Sequence, residues 1–218
     1  MEDTTATLLV PAYFLQVVVG TAILAWWFLA RKNKVLKTFG IGMAGYSLGV
    51  AAWTLLVLTK PDDLQPLIIA GAIPFLLANL AFAKVAYKNL DFKKTSLLSL
   101  VVLGTIAGTF IVRTFIYPSE PYFSGEGLLF FGLHPLSIAF YIATMSLTFL
   151  PAISVATEHI KKGSLRTIMK AGLTTLFINA TILVSGNDDT LLLINGIIMT
   201  VALLVIWVKA VTTPKKQI

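Results

Sequence analysis

FGLHPLSIAFYIATMSL, residues 131–147, places His134 and Pro135 near the start of an apolar run long enough to cross a bilayer. A span needs about 20 mostly apolar residues, because a helix rises about 1.5 Å per residue and the hydrocarbon core is about 30 Å thick. Working outward from this stretch, the same pattern recurs over residues 7–30, 36–59, 64–86, 96–117, 127–151, 165–186 and 190–211. With 57% hydrophobic and only 12% charged residues among 218, and a mean hydropathy of +0.86, the chain is too apolar for a soluble domain. The expected fold class is an all-α integral membrane protein: one bundle of seven transmembrane helices spanning residues 1–218. The connecting segments are too short for a folded domain outside the membrane.

The net charge of +7 is a topology signal rather than a nucleic-acid footprint. Arg31, Lys32, Lys34 and Lys37 flank the first connection, Lys84, Lys88, Lys93 and Lys94 the third, Lys161, Lys162, Arg166 and Lys170 the fifth, and Lys209, Lys215 and Lys216 the C-terminus. The opposite side holds only Lys60 and Arg113 among basic residues, together with Glu2, Asp3, Asp62, Asp63, Glu120, Glu126, Asp188 and Asp189. Short basic loops stay in the cytoplasm, so the N-terminus is expected outside, the C-terminus inside, and the protein in the cell membrane. The acidic start lacks the basic n-region of a signal peptide, so the first run is read as a retained span.

Several chemistries are excluded by composition. Cysteine is absent, which removes disulfides, thiolate metal sites and cysteine nucleophiles. His134 and His159 fall at opposite membrane faces, so no metal or haem site and no cofactor are expected. A retinal pigment needs a lysine midway along the last helix; the middle here is Ile197 to Ala202, and Lys209 lies near the cytoplasmic end. Neither a phosphate loop, a catalytic carboxylate pair nor an internal repeat is found, and the protein is not expected to be an enzyme.

What polarity remains inside the spans gathers toward the outer side. Arg113 lies about one turn inside helix four, His134 about 10 Å inside helix five, Asn179 in the outer half of helix six and Asn195 at the head of helix seven. Tyr141 follows His134 by seven residues and shares its face. Ionisable groups inside spans are expensive and turn toward cavities, which makes Arg113, His134, Asn179, Tyr141 and Asn195 the candidate ligand-binding residues of an outward vestibule over helices four to seven. The structural reading of each stands beside this one. Arg113 can snorkel, His134 can serve packing at Pro135, and the asparagines can tie helices together. Pro74, Pro135 and Pro151 are read as interruptions of helices three and five. Gly45-x-x-x-Gly49 and Gly104-x-x-x-Gly108 mark close helix approaches. The stiff outer loop, residues 116–127, is read as a small lid.

RKNKVLKTFGIGMAGYSLGVAAWTL, residues 31–55, and FSGEGLLFFGLHPLSIAFYI, residues 123–142, together resemble the seven-helix membrane sensor modules at the N-terminus of bacterial sensor histidine kinases and diguanylate cyclases. The resemblance implies an extracellular or intramembrane ligand pocket whose occupancy shifts the cytoplasmic helix ends. Those receptors continue into an output domain, whereas this sequence stops at Ile218, so output is expected through a separate partner. The leading expectation is a stand-alone receptor or sensor-like module that takes a small-molecule or lipid-like ligand from outside and signals through a membrane or cytoplasmic protein. The alternatives are an accessory subunit of a larger membrane complex and a small-solute transporter or channel. Its surroundings are the lipid bilayer, and no nucleic-acid partner is expected.

Overall fold

The computed structural model describes residues 3–59, 65–87, 96–118, 122–123, 129–130, 132–161, 163–185 and 189–213. Among them are seven α-helices: α1 (Asp3–Leu29), α2 (Lys34–Thr59), α3 (Gln65–Ala86), α4 (Leu97–Ile111), α5 (Pro135–Glu158), α6 (Ser164–Ser185) and α7 (Asp189–Thr212). α4 runs on into a π turn, Val112–Ile116. A two-residue antiparallel pair, β1 (Tyr122–Phe123) with β2 (Leu129–Phe130), joins Tyr122 to Phe130 and Phe123 to Leu129. The rest of the expected lid, with Glu120 and Glu126, lies outside the described residues, as does Asp188.

Five helices are long and apolar enough to cross a membrane: Lys34–Leu55, Ile68–Ala86, Leu97–Ile116, Pro135–Glu158 and Leu193–Thr212. α1 adds a shorter apolar stretch, Leu15–Leu29. α6 is the most polar of the seven, because it carries Arg166, Lys170, Asn179 and four threonines. Apolar side chains cover much of the outer surface; Leu97, Leu100, Ile197 and Val211 are all exposed. In water such a surface would be an aggregation liability, and in lipid it is the ordinary solvent-facing side.

Local chemistry sets where the helices begin. Asn33 caps α2 by accepting the Val35 and Leu36 amides at 2.8 and 3.2 Å, and Ser96 caps α4 by accepting the Ser99 amide at 3.1 Å. Each satisfies donors that a first helical turn leaves without partners. α5 departs from the sequence reading. Its apolar run suggests a helix over 127–151, interrupted at Pro135. The helix instead begins at Pro135 and ends at Glu158. Proline fits a first helical position, where no amide donor is needed and its fixed φ suits the turn. Gly132, at φ 52°, bends the chain just before it. Pro74 and Pro151 lie inside α3 and α5.

Six helices form a ring in the order α1, α2, α3, α5, α6, α7, with α7 returning to α1, while α4 packs on the outside of α3 and α5. The tightest seam joins α2 to α3. A methyl group on Gly45 would meet the Pro74 carbonyl oxygen at 2.9 Å, and on Gly42 and Gly49 the Phe82 and Phe75 rings at 2.4 and 2.6 Å. Both expected glycine pairs therefore contribute to packing within the chain, except that Gly104 has nothing within 4 Å of a Cβ position. The α1–α2 and α5–α6 connections meet, since the Asn33 amide nitrogen and His159 Nδ1 are 3.3 Å apart. This places two of the basic connections at one end of the bundle, called the basic end below.

Candidate functional site

The site grows from the end of α4. There the ladder slips by one residue: the Tyr117 amide donates to the Val112 carbonyl at 2.7 Å, five residues back. Single π turns of this kind often lie at functional sites, because the wider turn re-aims its side chains. This one carries Arg113 and Thr114, both buried at 9% and 4% exposure. The Arg113 guanidinium lies 5.1 Å from the ring centroid of Trp53 on α2, within reach of a cation–π contact.

Beside them is a cavity of about 40 Å³ between α3, α4 and α5, whose polar lining is Asn79, Thr109, Arg113, Thr114, Tyr141 and Thr144. Gly108 makes this geometry available. A Cβ there would come 2.5 Å from the Phe140 ring, so only glycine lets α4 lie close enough for Thr109 to reach α5. The Thr109 hydroxyl then sits 2.9 Å from the Phe140 carbonyl, 2.9 Å from its own helix at Thr105, and 2.8 Å from the Thr144 hydroxyl. One turn further toward the basic end, the Thr148 hydroxyl is 2.7 Å from both Asn79 Oδ1 and the Thr144 carbonyl, and Asn79 Nδ2 donates to the Phe75 carbonyl at 2.9 Å.

Thr114 differs from these threonines: its buried hydroxyl has no hydrogen-bond partner. Threonine inside a helix usually returns its proton to the carbonyl three or four residues back. Here the Thr114 hydroxyl makes no such bond, and Thr114 is among the residues that line the cavity. A water needs roughly 10–15 Å³ of such space, so the cavity admits a few atoms. It is far below the roughly 300 Å³ at which pockets for drug-sized ligands begin.

The five candidates from the sequence fall in three places. Arg113 and Tyr141 line the cavity together. His134 is exposed at the head of α5, where its Nδ1 accepts the Leu136 amide at 3.2 Å. Its ring stacks on Tyr117 at 3.9 Å between centroids and 8° between planes, against the residue that closes the π turn. Asn179 and Asn195, both buried, join α6 to α7: Asn195 Nδ2 donates to the Asn179 carbonyl at 3.1 Å, and Asn179 Nδ2 to the Thr175 carbonyl at 2.7 Å. Neither lines the cavity.

Sequence reasoning passed over Thr109, Thr114, Thr144 and Trp53. The signal for two of them, Thr109 and Thr144, was present. Thr105 and Thr109, and Thr144 and Thr148, lie four apart and form a hydroxyl stripe on each of two helices. Nothing local marks Trp53, which comes from a helix that does not touch α4 in sequence. The chain matches no protein-family model, no curated protein and no solved structure.

Proposed function

We propose that this is a seven-span protein of the cell membrane, its N-terminus outside and its C-terminus in the cytoplasm, acting as a receptor-type module for a small polar ligand. One observation carries the reading: a buried guanidinium, Arg113, beside a hydroxyl-lined cavity at the end of the bundle away from the basic connections. A charge at this depth is costly in a bilayer, and such groups serve ligand, ion or proton sites by default. The orientation is supported by the Asn33–His159 contact, which gathers Arg31, Lys32, Lys34 and Lys161 near one end. The ligand enters from the opposite, outer side.

Signalling follows from differential binding. A ligand that prefers one arrangement of α4 and α5 shifts the population toward it, and the π turn, the Gly108 contact and Pro151 give these two helices room to differ. The shift passes along α5 to the basic end, where a separate protein partner reads it. Purified protein, screened by thermal shift against small polar solutes, tests this reading. At least one solute raises the melting temperature of the wild type and leaves Arg113→Gln unmoved. If none stabilises the wild type, the receptor reading fails. Flux of the same solute into liposomes would make the protein a transporter, and gentle extraction as a fixed hetero-complex would make it a subunit.

A further inference from the structure

We infer that the Trp27–Arg31 stack is a phosphate site, at the basic end of the bundle, that takes the headgroup of an anionic membrane lipid. The site goes beyond the receptor reading and rests only on the chain lying in a bilayer. α1 ends at Leu29, and Arg31 follows in the short connection to α2. Its guanidinium carbon lies 3.9 Å from the centroid of the Trp27 ring. Trp27 is 6% exposed, and its Nε1 and the Arg31 Nε are both buried without a hydrogen-bond partner. Buried N–H groups of this kind ordinarily find an acceptor. Two such donors on one stack call for a group with several acceptor oxygens, which a phosphate is. Arg31 as a whole is only half-buried, so the stack opens to the surface along that side chain.

Charge selects an anion. No acidic residue occurs between Asp3 and Asp62, whereas Arg31, Lys32, Lys34 and Lys37 follow one another closely, and the three lysines are exposed. Partial burial pushes the Arg31 guanidinium below its ordinary value, with no carboxylate to offset it. Position then selects a lipid. Trp26, next to Trp27, is 71% exposed, and Leu29 is exposed near it, so the last turns of α1 set an indole where headgroups and acyl chains meet. The planar guanidinium matches phosphate with a fork of N–H donors, and stacking on an aromatic face leaves that fork in place. A basic segment directly after a span also gathers anionic headgroups around it.

The test titrates the full chain in detergent with phosphatidylglycerol and with phosphatidylcholine of the same acyl chains, and native mass spectrometry counts the bound lipid. The wild type is expected to bind phosphatidylglycerol about tenfold more tightly, the scale of a charge-assisted contact. Arg31→Gln abolishes most of that preference. Trp27→Phe keeps an aromatic ring in the core, loses the N–H and weakens phosphatidylglycerol several-fold. Lys32→Gln, which removes an exposed charge from the same segment, weakens it less than either. A loss in Lys32→Gln as large as in Arg31→Gln, or wild-type affinity in Trp27→Phe, overturns the site, because diffuse charge would then account for the binding. Where Arg31→Gln fails to fold, Arg31→Lys keeps the charge and loses the fork, and wild-type affinity in that variant counts equally against the site. Sodium phosphate that displaces phosphatidylglycerol at constant ionic strength would make this a site for soluble phosphate and overturn the lipid. Equal binding of the two lipids would remove the site altogether. None of these results bears on the thermal-shift test of Arg113, so the two readings fail separately.

Discussion

Arg31 and Arg113 each lie against a tryptophan, with the guanidinium carbon 3.9 Å from the Trp27 ring and 5.1 Å from the Trp53 ring. Their surroundings are opposite in kind. Near Arg31 the core is aromatic. Trp27 meets Phe28 edge-on at 5.0 Å, Phe28 meets Phe39 at 4.8 Å, and Phe149 touches Phe39, Phe82, Tyr46 and Phe177 at 6.1, 4.7, 6.4 and 6.5 Å. Arg31 itself sits in the connection after α1, where partial burial pushes its guanidinium below the ordinary value. Around Arg113 the core sets hydroxyls and the Asn79 amide among apolar neighbours on three helices, and it keeps a cavity. The difference teaches that two like pairs can do unlike work. One joins the turn after α1 to a filled interior, and the other sits beside a cavity of about 40 Å³.

The largest break in this comparison should come from emptying the filled half. In lipid, helix association draws little on water exclusion and much on close packing. Phe149→Ala removes the ring that joins four aromatic neighbours, and it should cost about 3 kcal/mol, at the low end for a deleted core aromatic. Chemical denaturation in micelles reads the loss. A cost under about 1 kcal/mol would show that the aromatic cluster does not hold the bundle.

Overfilling the seam comes next. Gly45→Val places a methyl group against the Pro74 carbonyl at 2.9 Å, a contact with backbone that cannot swing away. It should cost about 2 kcal/mol, within the range for overpacked cores. The same change at Gly104, where nothing lies within 4 Å, should cost at most a few tenths, so the pair of variants separates α2–α3 packing from glycine propensity.

In the polar half the effects shrink. Thr148→Val leaves Asn79 Oδ1 without its 2.7 Å donor and should cost about 1 kcal/mol, the usual scale for interhelical hydrogen bonds in membranes. Thr114→Val should be near neutral or slightly stabilising, since it replaces a buried hydroxyl that bonds nothing by a methyl of like shape. A loss of more than about 1 kcal/mol at Thr114 would mean that the hydroxyl has a structural partner, and the contrast between the two halves would weaken.

The helices were legible because membrane crossing is written in local composition. The expected runs 36–59, 64–86, 165–186 and 190–211 fall within two residues of the ends of α2, α3, α6 and α7. The start of α5 was not legible from hydropathy, which does not distinguish an apolar strand such as Leu129–Phe130 from a helical turn; Gly132, the His134 cap and Pro135 at the first turn decide it. His134 illustrates the limit well. An imidazole in an apolar run reads as a buried site, and in the fold it caps a helix and stacks on Tyr117.

By itself, then, the order of residues determined that the chain is a bundle of apolar helices, because helix length and hydropathy depend on near neighbours alone. It also singled out Arg113 and Tyr141 as polar groups within apolar runs. Only the tertiary structure decided that α3, α4 and α5 enclose a cavity, that Trp53 reaches Arg113 from α2, and that the two asparagines belong to a different seam. Those outcomes rest on which helices become neighbours and on a one-residue slip in the α4 ladder, and neither can be read from the periodicity of any single helix.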